Sequence, residues 1–361
     1  MKVAIMGAGL SGLACAIELE RNGIEPFIFE KRSIVGDRFV NGEVLLSMFA
    51  RPIQDEIQYL SEEHNIYLQP TANISRFVMA SRRKTAVLEG RIGFSNIRGR
   101  HENSFEQQLK NQLKAPIHCD SCYTYEDLLA EYTHVVVATG DASHANSIVG
   151  YDTDLSVTLM GRSVQGSFSR YTIYSWFDER FAPKGHGYLI PYSETEANIV
   201  IAYPEYGDVQ TDSQEQMWTL FQNRVETDLN QSLITTDSFH IHGYPMGTAH
   251  FPRVGNTFFV GNNLGSLMPF FGFGQFTSIL SGIYAARDIC GRGSYEESIK
   301  GIQQSYRASL VMRRAFEKLN DDSLDLLVQK LSGRWGHWLL TTRHDVLKWV
   351  SYALRLWTGV S

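Results

Sequence analysis

Gly7-Ala8-Gly9-Leu10-Ser11-Gly12 is the segment of the chain with the clearest chemical capacity. Its glycines sit where a nucleotide-binding turn needs them. Gly7 permits a tight turn, Gly9 lets backbone approach a pyrophosphate, and Gly12 allows the next helix to pack closely on the preceding strand. A helix opening over Leu10 and Ser11 turns unpaired N–H groups and its positive dipole end toward phosphates. Glu30, with Lys31 after it, lies eighteen residues beyond Gly12, where a carboxylate accepts hydrogen bonds from an adenosine ribose. Cys119-Asp120-Ser121-Cys122, beside His118, is a second pattern with chemical capacity. A zinc site needs four ligands, and no second cysteine pair stands at ribbon or finger spacing. A redox pair and two ordinary thiols are the other readings, and the last is preferred.

These residues need elements to position them. Met1-Lys2-Val3-Ala4-Ile5-Met6 reads as a buried strand, Leu13 to Ile17 as an apolar helix stopped at Gly23, and Pro26 to Phe29 as a second strand. Residues 53 to 64 place Ile53, Ile57 and Leu60 at helical spacing. Strand-like pieces follow between Ile74 and Ile97 and suggest a small inserted sheet. Ser104 and Gln107 have the spacing of a capping box. Thr133 to Gly140 reads as a parallel strand buried on both faces and ending in a small-residue turn.

Residues 155 to 204 form several strands without intervening helices, an antiparallel meander that marks a second domain. Thr257 to Asn262 returns to the nucleotide-domain pattern. A loop rich in Gly, Pro and Phe then leads into a helix from about Gly274 to Cys290, whose Ser278, Ser281, Gly282, Ala285 and Ala286 allow close packing. From Ser294 onward the pattern is helical.

The chain has 361 residues, enough for two joined domains, and its composition is that of a soluble globular protein: 43% hydrophobic and 20% charged. A net charge of −6 argues against a nucleic-acid partner, which requires a clustered basic face. Four cysteines supply no disulfide framework, and the N-terminus reads as a core strand, so a cytoplasmic location is expected. No apolar run reaches the roughly 20 residues of a membrane span. The tail interleaves Trp335, Trp338, Trp349, Tyr352 and Trp357 with Arg334, Arg343, Lys348 and Arg355. That pattern fits a helix pair packed on the body, and it also fits peripheral contact with a membrane interface.

Three segments together resemble the FAD-dependent oxidoreductases built like p-hydroxybenzoate hydroxylase. The first is the glycine turn with Glu30. The second, Ala138-Thr139-Gly140-Asp141-Ala142-Ser143, is similar to the family's Ala-Asp-Gly-x-x-Ser turn, with Thr139 in place of the aspartate. The third, Gly261-Asn262 with Pro269, Gly272, Phe273 and Gly274, is similar to the run that holds the ribityl chain and isoalloxazine, with Asn262 in place of Asp. An amide oxygen still accepts from a ribityl hydroxyl, so FAD binding is expected to survive. Gly185-His186-Gly187-Tyr188-Leu189-Ile190-Pro191 and Gly282 to Ala286 bring the chain nearest to the geranylgeranyl reductase branch. His186 and Tyr188 stand where that branch, and the flavin-dependent halogenases, carry aromatic residues.

The resemblance implies an α/β fold. A discontinuous Rossmann-like FAD domain occupies 1–75, 95–155 and 245–292, an inserted antiparallel-sheet substrate domain occupies 76–94 and 156–244, and a helical region occupies 293–361. It implies FAD as cofactor and no metal. Arg38 and Arg100 are the arginines expected at the pyrophosphate. Trp176, Tyr188, Ile190, Phe270 and Phe271 are expected to form an apolar substrate wall, with His186 and Tyr188 as proton donors. The implied reaction is hydride transfer from reduced FAD to a carbon–carbon double bond of an apolar, isoprenoid-like molecule or lipid. Hydroxylation of a small molecule through a C4a-hydroperoxide is the runner-up, and a flavin-binding protein without catalysis is the third reading. With no second glycine-rich turn opening another βαβ unit, the electron donor is expected to be transiently bound NAD(P)H or a reduced ferredoxin or flavodoxin.

Overall fold

Val3–Met6 is the central strand of a six-stranded sheet, with Val3, Ala4 and Ile5 fully buried. The computed structural model describes residues 1–206 and 211–360. In it Val3–Met6 pairs in parallel with Pro26–Phe29 on one side and His134–Val137 on the other. Ile117–His118 and Thr257–Phe259 extend the sheet in parallel, and Arg253–Val254 closes one edge antiparallel. The helices Leu10–Arg21 and Gln275–Ile289 pack face to face, with Gly282 against the backbone of Ser11.

The inserted sheet and the expected meander are one eight-stranded sheet. Its order is Ile234–Ala249, Tyr151–Gln165, Glu196–Pro204, His186–Pro191, Thr172–Phe177, Ala72–Ser81, Thr85–Gly99, Val40–Leu46. The join is a parallel pair, Ala72–Ser81 with Thr172–Phe177; the other pairs are antiparallel. The sheet therefore takes in Val40–Leu46, the whole of Thr85–Gly99 and the start of Tyr151–Gln165, so the boundaries drawn from sequence at 75, 95 and 155 fall beside or inside strands. Backbone pairing runs the length of each ladder because every buried N–H and C=O needs a partner, and composition does not mark that extent.

One face of this sheet is covered by the helix Thr211–Leu229, an element missing from the sequence reading of 156–244. Met217, Trp218, Phe221 and Val225 pack there on Leu189, Ile199 and Ile201. The opposite face meets the C-terminal helices Lys300–Glu317, Asp321–Leu331, Arg334–Thr341 and Val346–Thr358. Phe316, Leu324 and Val328 share a core there with Met79, Leu88 and Ile173.

Two local details refine the expected helix starts. The first helix after the cis Arg51–Pro52 bond runs Glu56–His64, capped by Asp55, so Ile53 precedes it. Ser104 caps Phe105–Lys110 by accepting from Gln107 N, but the Gln107 side chain donates to Val35 O at 2.8 Å, so only half of the capping box forms. Among the described residues no helix is long and apolar enough to cross a membrane.

Candidate functional site

A cavity of about 630 Å³ runs from the glycine turn, past Thr139, Gly140 and Asn262, to Pro269–Gly274 and on between the large sheet and the C-terminal helices. At the nucleotide end, Gly9 and Gly140 leave open space where a Cβ would stand. Gly7 and Gly12 do not line the cavity. A Cβ on Gly7 would meet Ala138 O at 2.4 Å and one on Gly12 would meet Gly7 O at 2.1 Å, so both shape the turn. Glu30 is buried at the cavity edge and holds the turn directly, its Oε2 accepting from Ala8 N and its Oε1 from Arg32 N, both at 3.0 Å. Leu10 and Ser11 line the wall.

The middle of the cavity is tied by side-chain bonds between separated segments. Asn262 Nδ2 donates to Gly140 O at 3.2 Å and also reaches the Tyr244 hydroxyl, which itself donates to Gly140 O. Arg38 lies over the Tyr244 ring at 4.6 Å. Thr139 accepts from Asn263 Nδ2 at 3.0 Å, so its hydroxyl helps hold the two turns together.

At the far end of the nucleotide track, Gly274 precedes the helix Gln275–Ile289, whose first turn faces the cavity. Gln275 is buried there and its Oε1 has no hydrogen-bond partner among the described residues. An orphaned buried acceptor costs about 1–3 kcal/mol unless a ligand satisfies it. Phe271 is held at a positive φ of 62°, a conformation L residues seldom adopt, and its ring meets His186 edge-on at 4.8 Å.

Beyond Pro269 the cavity widens into an apolar chamber. Strand alternation places His186, Tyr188 and Ile190 on the chamber face, and all three line it. Phe270, Phe271, Phe177 and Phe316 add an aromatic wall, and Leu331, Leu339, Val346 and Val350 close the far side. Burial, helped by the positive Arg313, holds the His186 imidazole down to about 3, so it is neutral at physiological pH. Burial, and then the Glu43 carboxylate, push the Tyr188 phenol upward, and its hydroxyl donates to Asn41 Oδ1 at 3.3 Å. Neutral His186 keeps one ring N–H and Tyr188 its phenolic O–H, so both retain a proton on this wall.

Three expected site residues lie elsewhere. Arg100 pairs with Asp237 outside the cavity, because Gly99 turns the chain at a φ of 96°. Lys31 is exposed; Arg32 occupies the cavity edge instead. Trp176 is opposite Gly187 in the register and so points away from His186 and Tyr188, into the core under Thr211–Leu229, where its Nε1 donates to Asp228 at 2.7 Å. Cys119 and Cys122 are free thiols away from the cavity.

Of the two arginines before Ser104, Arg98 rather than the preferred Arg100 lines the cavity, its guanidinium held by Glu106 at 2.8 Å and Glu43 at 3.1 Å, while Glu43, Tyr244 and Gln275 are cavity residues missed from sequence. Burial raises the Glu43 carboxyl above its usual range against the pull of Arg98. Tyr244 and Gln275 carry no motif of their own. Only the adjacency of Gln275 to the Gly272-Phe273-Gly274 turn offered a signal.

The open space at Gly9 and Gly140, the buried acceptor at Gln275 and the anchored Glu30 would suit a bound FAD. The fold is shared with solved structures of a reductase-like protein, a flavin-dependent brominase and an oxygenase. Residues 5–44 match the model of the NAD(P)-binding Rossmann-like domain. A Mycobacterium tuberculosis protein named as a flavin-containing monoamine oxidase is 31% identical over 161 residues, 41% of this chain and 35% of its own length. The chain thus spans about a third of that relative. A geranylgeranyl bacteriochlorophyll reductase-like protein from Thermoplasma acidophilum superposes with a TM-score of 0.74 at 16% identity, covering 98% of this chain and 95% of that one. A flavin-dependent brominase gives 0.66 at 12% identity, covering 98% and 94%. 2-Methyl-3-hydroxypyridine-5-carboxylic acid oxygenase gives 0.60 at 15%, covering 92% of each.

Proposed function

We propose that the protein is an FAD-dependent oxidoreductase that saturates a carbon–carbon double bond in a long, apolar, isoprenoid-like substrate. The observation that supports this most is the continuity of the cavity: the nucleotide track opens at Pro269 into a chamber walled by Phe, Leu, Ile and Val side chains. A small polar substrate would be poorly matched to such a wall, whereas a hydrocarbon chain gains about 25 cal/mol per Å² buried. Reduced FAD, when bound, supplies the hydride.

The chain's own residues do the rest. Gly9, Gly140, Asn262 and the first turn of Gln275–Ile289 hold and orient the cofactor, and that helix N-terminus favours negative charge at its mouth. Phe177, Phe270 and Phe271 exclude water from the reacting carbons. Tyr188 keeps its proton on Oη, donated at rest to Asn41 Oδ1, and would deliver it to the second carbon on turning its hydroxyl away from Asn41. Neutral His186 packs beside it without adding charge to an apolar chamber. We take the electron donor to be NAD(P)H or a reduced ferredoxin or flavodoxin, on the strength of the single glycine-rich nucleotide turn.

Turnover of a polyprenyl alkene in the absence of air tests this reading. Formation of the dihydro product without oxygen is expected. Product that appears only with oxygen consumption overturns it in favour of hydroxylation, and FAD that no donor can reduce overturns it in favour of a non-catalytic role.

A further inference from the structure

The last two helices carry one kind of residue inward and another outward. Leu339 of Arg334–Thr341 and Val346 and Val350 of Val346–Thr358 line the chamber, so this pair forms its end wall. Outward, Trp335 is 68% exposed and Leu356 fully so, and Trp338, Trp349, Tyr352 and Trp357 are also exposed. Trp349, Tyr352 and Leu356 have the three- and four-residue spacing of one helix stripe. Exposed large apolar side chains gathered on one segment mark an interaction surface, whereas those scattered singly do not.

Charge on this segment runs against the rest of the molecule. Arg334, Arg343, Lys348 and Arg355 fall within residues 332–360, where Asp345 is the sole carboxylate, although the whole chain carries −6. Arg334 and Arg343 are exposed. Tryptophan and tyrosine settle at the lipid headgroup level, and clustered lysine and arginine are drawn to anionic lipid. No helix among the described residues crosses a membrane, so contact through this pair would be superficial.

We propose that the helix pair docks the protein on an anionic lipid surface and that the substrate passes from the bilayer between the two helices into the chamber. The docking stands on the exposed face alone. The passage rests on the reading of the chamber as the site for a long alkene. Leu339 and Val346 bracket the short connection between the helices, so a modest separation there opens the chamber toward the surface that Trp335, Trp338 and Trp349 would occupy.

Flotation of the FAD-loaded protein with vesicles tests docking independently of catalysis. Binding to vesicles containing phosphatidylglycerol is expected, with weak binding to phosphatidylcholine alone, loss at high salt, and quenching of tryptophan fluorescence by brominated lipid. Arg343→Glu is expected to lower the partition on the order of tenfold. Trp349→Ser should weaken insertion while FAD content and melting temperature stay unchanged. No binding of the wild-type protein to anionic vesicles overturns docking, as does a stable dimer that covers the same face. Turnover then tests the passage. In both variants, reduction of an alkene embedded in anionic vesicles should fall while reduction of the same alkene in detergent micelles is retained. An equal loss in both media overturns the passage. No turnover in either medium by the wild-type protein overturns the functional reading and leaves docking to be decided by flotation.

Discussion

Asn262 donates its side-chain N–H to the carbonyl oxygen of Gly140 at 3.2 Å, joining the loop after Thr257–Phe259 to the turn after His134–Val137. With the nitrogen engaged, the amide oxygen is left as an acceptor at the middle of the cavity. Asn262→Ala removes both the tie and the acceptor. One net hydrogen bond is worth about 0.5–1.5 kcal/mol. FAD affinity should fall by roughly tenfold, read by fluorescence titration of the apoprotein, with little change in the denaturation midpoint of the apo form.

Gly282 tests the packing that supports the nucleotide turn. A Cβ there would stand 2.0 Å from Ser11 O, which is backbone and cannot step aside. Gly282→Ala should destabilise by about 1–3 kcal/mol through overpacking and weaken FAD binding with it. Gly301→Ala, with nothing within 4 Å of the new Cβ, is the matched control and should stabilise its helix by up to about 1 kcal/mol in urea denaturation.

His186 makes stability depend on pH with a definite sign. Its folded value near 3 lies below the usual 6.5, so the unfolded chain binds more protons between these limits. The contribution of neutral His186 is complete above about pH 6.5 and is lost as pH falls toward about 3. Glu56, raised by burial to about 7, acts oppositely over part of this window, which is why the comparison must be with a variant. His186→Gln should lose less stability than wild type between pH 7 and pH 5, measured by urea denaturation.

Tyr188 and Trp176 separate chemistry from packing. Tyr188→Phe removes the hydroxyl bonded to Asn41 and should lower kcat by about 10²-fold while FAD content and KM hold nearly constant. Trp176→Ala empties a buried site in the other core and should cost about 3–5 kcal/mol of stability, seen in the melting curve, while KM for the alkene changes little.

The nucleotide end was legible because its geometry dictates residue type: only glycine satisfies the contacts at Gly7 and Gly12, and the spacing to Glu30 follows from a strand and a helix of ordinary length. Period-two alternation likewise placed His186, Tyr188 and Ile190 on one face. The same rule shows why Trp176 was misplaced. An aromatic type does not say which face of a strand is which, and the register opposite Gly187 was needed to settle it. Arg100 was lost to a single glycine bend at Gly99, and the helix Thr211–Leu229 lies beyond the run of strands read over 155–204, in a stretch to which no element was assigned. The chamber wall was out of reach for a different reason. Leu331, Leu339, Val346 and Val350 read as ordinary amphipathic helix positions, and only tertiary packing brings them opposite Phe177 and Tyr188.

The central claim is that the chamber presents a long alkene to reduced FAD. It is tested most directly by reducing the FAD-loaded protein without air and mixing it rapidly with a polyprenyl alkene. Recovery of the oxidised flavin spectrum in step with one saturated double bond per FAD is the predicted result. A reduced spectrum that persists with the alkene and recovers only when oxygen is admitted would contradict the claim.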